Sequence, residues 1–197
     1  DYSYGTFTTA YEIGSTVKGA TLLTGYREGA VSIGTRQIDE PIVLGENLVK
    51  SSIFNRSGRM RMDDLMALEQ SSNVYMFKIA LSMGGLSYYP YMATASLLKD
   101  DTLNRLRNGY AQVGLGVPTG IDLPGETIGV IGVPDSPGTV LDITIGQYDT
   151  YTPMQLVQYV STIANGGYRV QPRLLKEIRK PSKDGQTLGP LVEEIEP

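Results

Sequence analysis

Ser15-Thr16-Val17-Lys18 sets a hydroxyl and an amine three residues apart. Residues at this spacing share one face of a helix, so the Lys18 amine can reach the Ser15 hydroxyl. A helix N-terminus adds a positive field that favours an oxyanion and disfavours a protonated lysine. A lysine partly buried in such a place has its pKa lowered towards the range where it can accept the serine proton. The chemistry would be nucleophilic, with an activated serine that forms a covalent acyl intermediate. The spacing recurs at Ser96-Leu97-Leu98-Lys99, and about half a match is expected by chance from this serine and lysine content. That second copy, between Ala95 and Asp100-Asp101, reads as an ordinary surface helix turn.

Ser71-Ser72-Asn73 is the other polar element, set between two apolar helical stretches. Serine and asparagine compete with helical backbone bonds and can simply kink a chain. Three small polar residues in that position are otherwise out of place unless they point into a cleft.

Composition narrows the chemistry further. The chain has 197 residues, 41% hydrophobic and 19% charged, as in one ordinary globular domain. Its net charge of −4 and its scattered basic residues argue against a nucleic-acid partner. There is no Cys and no His. A disulfide, a thiol nucleophile, a thiolate zinc site and a Ser-His-Asp triad are therefore all excluded within this chain. A lysine held neutral is a strong candidate among the groups left to activate a hydroxyl. The apolar stretches are only a few residues long, too short to span a membrane, and no charged-then-apolar leader opens the chain. Asp1-Tyr2-Ser3-Tyr4 reads as a cut inside a longer protein.

The elements that must position these groups follow from local signals. A short helix is predicted from Ser15 to Gly25, opened by Gly14 and closed by a turn at Gly25. Val31 to Leu44 alternates loosely and reads as strand or extended loop. Asp63 caps a helix to Gln70, and a second helix runs from Val74 to Met83 and stops at Gly84-Gly85. Another is predicted from Leu97 to Gln112, with Arg105 and Arg107 on a solvated face. Gly and Pro between Gly114 and Pro137 forbid a long helix. Thr152-Pro153-Met154-Gln155 is a capping box with proline at the first helical position. Leu156, Val157, Val160, Ile163 and Ala164 follow at helical spacing, and Gly166-Gly167 ends that helix. Tyr168 to Ile178 reads as a strand broken by Pro172, and Lys180 to Gly189 as a polar loop.

Taken together, the motifs resemble those of the penicillin-binding proteins, which share Ser-x-x-Lys, a Ser-x-Asn triplet and Lys-Thr-Gly with class A β-lactamases. Tyr11-Glu12-Ile13-Gly14-Ser15-Thr16-Val17-Lys18 is similar to that family's Tyr-Glu-Pro-Gly-Ser-x-x-Lys, with Ile13 in place of Pro. Ala67-Leu68-Glu69-Gln70-Ser71-Ser72-Asn73 resembles the helix leading into Ser-x-Asn. Gly114-Leu115-Gly116, Thr119-Gly120-Ile121-Asp122-Leu123-Pro124-Gly125-Glu126, Ile145-Gly146-Gln147 and Ile163-Ala164-Asn165-Gly166-Gly167 look like further family segments, in order. The wording is most similar to the class B, monofunctional D,D-transpeptidases of Gram-positive bacteria. Lys-Thr-Gly and Lys-Ser-Gly are absent.

The resemblance implies an α+β, serine β-lactamase/transpeptidase-like fold. Residues 1–197 would form a partial transpeptidase domain, mainly the helical subdomain, with most of the central antiparallel sheet missing. It implies that Ser15 is the acylated nucleophile, Lys18 its base, Ser71 a proton relay and Asn73 a substrate-binding residue. The segment alone would then be inactive, because the absent strand carries part of the site. Implied partners are peptidoglycan stem peptides, β-lactams and division or elongation complex proteins, with no metal or cofactor. The implied location is the outer face of the cell membrane, held by an anchor outside this chain. A D,D-carboxypeptidase, a serine β-lactamase and a non-catalytic scaffold of the wall-synthesis machinery stand as alternatives; for the lactamase, no deacylating Glu is recognisable, Glu126 lying in the Gly-Pro-rich loop.

Overall fold

Short helices dominate the computed structural model, which describes residues 2–56, 58–98 and 101–195. The helices are α1 (Tyr2–Phe7), α2 (Lys18–Arg27, entered through a 3-10 turn at Gly14–Val17), α3 (Asp64–Glu69), α4 (Asn73–Met83), α5 (Thr102–Gln112), α6 (Pro137–Ile143) and α7 (Pro153–Ala164). The strands are β1 (Gln37–Asp39), β2 (Ile42–Leu44), β3 (Leu48–Lys50), β4 (Met60–Met62), β5 (Glu177–Arg179) and β6 (Leu191–Glu194). They form three separate antiparallel pairs: β1 with β4, β2 with β3, and β5 with β6. No larger sheet occurs among the described residues. The chain is α+β, mostly helical, and Ile42, Leu44 and Met62 of its short strands join the helices in the core.

That core lies where α2 crosses α4 and α5, and Val17, Ala20, Val74, Ile79, Leu106 and Leu141 are buried in it. The crossings are close because glycine lies in each. A Cβ on Gly25 would sit 2.8 Å from Ile79 Cγ2, and one on Gly109 would sit 2.1 Å from Thr24 Oγ1. Gly25 therefore does not close α2 as its sequence suggests. It is interior, and the helix ends at Arg27 with Gly29 in the left-handed region (φ 67). Ala30 N–H donates to Gly25 O and Gly29 N–H to Tyr26 O, a Schellman termination.

Asp63 caps α3 by accepting from Met66 N–H, and Thr152 and Gln155 form the reciprocal capping box of α7. α6 is too short to show a helical repeat in the sequence, although Ser136 caps it and Pro137 stands at its first position. Ser96 lies exposed in a 3-10 turn, while Lys99 and Asp100 fall outside the described residues.

Besides Gly25, two more expectations need correction. The strand expected over Tyr168 to Ile178 contracts to Glu177–Arg179. Pro172 cannot donate to a ladder, and side chains take the nearby backbone groups instead: Gln158 donates to Val170 O, and Asp122 accepts from Leu174 and Leu175 N–H. In α7 the helically spaced apolar residues are largely exposed. Val157, Val160 and Ile163 are 58%, 57% and 47% exposed, whereas Gln155 and Gln158 are buried. Their amides donate to the carbonyls of Val117, Ile128, Thr119 and Val170, so this face of α7 fastens loops.

Arg105 and Arg107 do not lie on a solvated face. Arg105 donates to Met83 O and pairs with Glu28. Arg107 makes a two-pronged ion pair with buried Asp149, at 2.9 and 2.7 Å. Removing one partner of such a pair leaves a buried charge alone. In the intact domain, Arg107→Ala is expected to cost about 3–5 kcal/mol in reversible unfolding. A loss below about 1 kcal/mol would mean that water screens the pair.

Candidate active site

The turn carrying Ser15 is clamped from two sides. Gly14 N–H donates to Gly146 O at 3.0 Å, and a Cβ on Gly146 would fall 2.0 Å from Gly14 O. Tyr11 and Tyr151 exchange both backbone bonds at 2.9 Å, and Tyr148 N–H donates to Glu12. From α7, the Tyr159 hydroxyl donates to Thr16 O, at 3.2 Å. Thr21 anchors the next turn of α2 to the Tyr110 hydroxyl and to Thr144 O. Ser15 itself is exposed, one turn before Lys18, whose backbone N–H donates to Ser15 O.

Lys18 is only 2% exposed. Its ammonium donates to Ser71 O at 2.6 Å, Ser71 Oγ at 2.9 Å and Asn73 Oδ1 at 2.6 Å. Three donors thus meet three oxygens of one kink. Burial lowers the Lys18 pKa to about 8, against an opposing pull from the negative charge of Asp39. A lysine so lowered gives up its proton near neutral pH more readily than a free one.

The kink itself is under strain. Ser71 N–H donates to Leu68 O and Ser72 N–H to Ala67 O, the Schellman pattern that ends α3. The left-handed residue of that motif is ordinarily glycine, but here it is Ser71, at φ 54. A side chain there costs about 1–2 kcal/mol. The observed outlier presents both the Ser71 hydroxyl and its carbonyl to Lys18. Ser72 also caps α4 by accepting from Tyr75 N–H, so helix end and helix start share two residues.

The fold thus brings Lys18, Ser71 and Asn73 together, with Ser15 beside Lys18 along the chain. Glu126 stands apart, accepting from Thr119 and Gly120 N–H in its own loop. Among the described residues, no group of three or more Asp or Glu could hold a metal ion. Sequence reasoning missed Asp39, Ser52 and Tyr159, all buried around this site, and found Gly146 only through a family resemblance. A lone tyrosine or acid in an extended stretch gives no local signal of such a role.

Residues 1–193 match the family model described as the penicillin binding protein transpeptidase domain. Penicillin-binding protein H of Bacillus subtilis is 50% identical over all of this chain, which spans 27% of that protein. A more distant relative, 26% identical over 86% of this chain and covered for 25% of its length, is named peptidoglycan D,D-transpeptidase MrdA of Haemophilus influenzae. The solved structure of penicillin-binding protein 2B from Streptococcus pneumoniae strain R6 superposes with a TM-score of 0.91 at 38% identity, over 98% of this chain and 31% of that one. The chain therefore spans about a quarter to a third of these relatives. Agreement of sequence and backbone over nearly every residue has one reading: the chain belongs to the penicillin-binding protein transpeptidase domain family.

Proposed function

We infer that this chain is part of a class B D,D-transpeptidase that cross-links peptidoglycan through an acyl-serine. The observation that carries this reading is the buried Lys18 amine, held by Ser71 and Asn73 one turn after an exposed serine. Ser15 Oγ attacks the carbonyl between the two terminal D-alanines of a stem peptide, and neutral Lys18 takes its proton. The carbon–nitrogen bond breaks, and Ser71 relays that proton to the departing amine. Asn73 holds the Lys18 ammonium and the substrate amide, and the Ser15 N–H supplies half of the oxyanion hole. An amine of a neighbouring strand then bonds to the acyl carbon, its proton passing to Lys18 and on to Ser15 Oγ as the ester bond breaks. A β-lactam enters the same way and leaves Ser15 blocked.

The exposed Val157, Val160 and Ile163 support reading the chain as one part of a larger domain that completes the site. The same reading assigns β-lactams as inhibitors and division or elongation complex proteins as partners, outside the cell membrane. No helix among the described residues is long and apolar enough to cross a membrane. The full-length protein is the one to test, with a stem peptide ending in D-Ala-D-Ala and an amine acceptor. The expected result is D-alanine release matched by cross-linked product. Hydrolysis without cross-linking would assign a carboxypeptidase, and neither release nor acylation would assign a scaffold.

A further inference from the structure

Beneath the Ser71 kink lies a buried carboxylate that the mechanism above does not use. Asp39, the last residue of β1, is 1% exposed. Its Oδ2 accepts from Ser52 Oγ at 2.5 Å and from Ser72 Oγ, and its Oδ1 accepts from Asn55 Nδ2 at 2.8 Å. Ser52 and Ser72 are completely buried. Each spends its single proton on Asp39, which turns its lone pairs towards the start of α4. Ser52 Oγ accepts from Asn73 N–H at 3.0 Å and Val74 N–H at 3.2 Å, and Ser72 Oγ accepts from Tyr75 N–H at 3.0 Å. Three of the helix's unpaired amides are satisfied by two hydroxyls whose orientation one carboxylate sets.

We propose that Asp39 is a positioning residue for acylation, fixing through Ser52 and Ser72 the Ser71-Ser72-Asn73 kink that holds Lys18. This rests on the transpeptidase reading of Ser15 and Lys18. The geometry requires an acceptor on every side of Asp39, because two hydroxyls and an amide all donate to it. An amide in its place would present a donor to the Asn55 donor or to a serine proton. The charge of the carboxylate also favours the protonated form of Lys18. Near Asp39 stand Lys78 of α4, which donates to Ile38 O, and Glu40, which pairs with Arg59. The other ionisable groups packed on α2 are neutral or paired: burial pushes Tyr110 and Tyr159 up, Asp64 is held by Tyr26, and Glu28 pairs with Arg27 and Arg105.

The test is the acylation rate of the full-length protein by a fluorescent penicillin, measured across pH. The wild-type rate should rise through the Lys18 pKa. Asp39→Asn should lower the plateau about 10- to 100-fold. Its midpoint should also move to lower pH, because the charge that favours protonated Lys18 is gone. Ser52→Ala keeps that charge, so it should lower the plateau and leave the midpoint in place. A wild-type rate in Ser52→Ala overturns the proposal, also when Asp39→Asn fails to fold. A slowed Asp39→Asn with an unmoved midpoint overturns it too, since simple disruption does the same. Ser15→Ala runs alongside: label retained there would refute the transpeptidase reading itself, independently of Asp39.

Discussion

In the intact protein, Ser15→Ala reduces covalent labelling by a fluorescent penicillin to background, and Ser96→Ala leaves it unchanged. The two serines begin identical four-residue spacings, so the prediction rests on their surroundings. Ser15 precedes a lysine that is buried and held by three oxygens of the Ser71–Asn73 kink. Its own turn is pinned by Gly146 and Tyr159, which limits where the hydroxyl can go. Ser96 is exposed in a 3-10 turn. Removing the attacking oxygen leaves nothing to carry the acyl group, so the loss is complete.

Lys18→Arg is expected to slow acylation by about 10²–10⁴, the range for losing a general base. The substitution keeps the positive charge and much of the hydrogen bonding to Ser71 and Asn73. It removes the neutral form, because a guanidinium stays protonated throughout the accessible range. The sign of the pH dependence follows. With the Lys18 pKa lowered to about 8, the neutral base is the minor form at pH 7 and the major form above that value. The wild-type rate therefore rises with pH up to a plateau, and the arginine variant should be slow and nearly flat. A drop of less than about tenfold, with the rise retained, would make Lys18 a charge or packing residue.

Much of this site was legible because its signals are local. Ser-x-x-Lys needs only a helix turn, Asp63 and the Thr152–Gln155 pair announce helix starts, and Ser-x-Asn sits where one helix must end and another begin. The same locality explains the errors. Gly25 reads as punctuation, yet it is there for the closeness of Ile79, and sequence does not distinguish a glycine used for φ from one used for contact. Val157, Val160 and Ile163 reveal that α7 has an apolar face but not what that face meets. Arg107 looks like any surface arginine until Asp149 is brought beneath it. Asp39 is hardest of all: its role depends on Ser52, Asn55 and Ser72, which only the folded chain assembles.

The measurement closest to the central claim is the site of the covalent adduct. The full-length protein, labelled with penicillin and digested, should yield one modified peptide, with the penicilloyl group on the serine at position 15. The adduct should be lost in Ser15→Ala and form slowly in Lys18→Arg. An adduct on Ser71, Ser96 or any other residue would contradict the assignment of Ser15 as nucleophile and of Lys18 as the base that activates it.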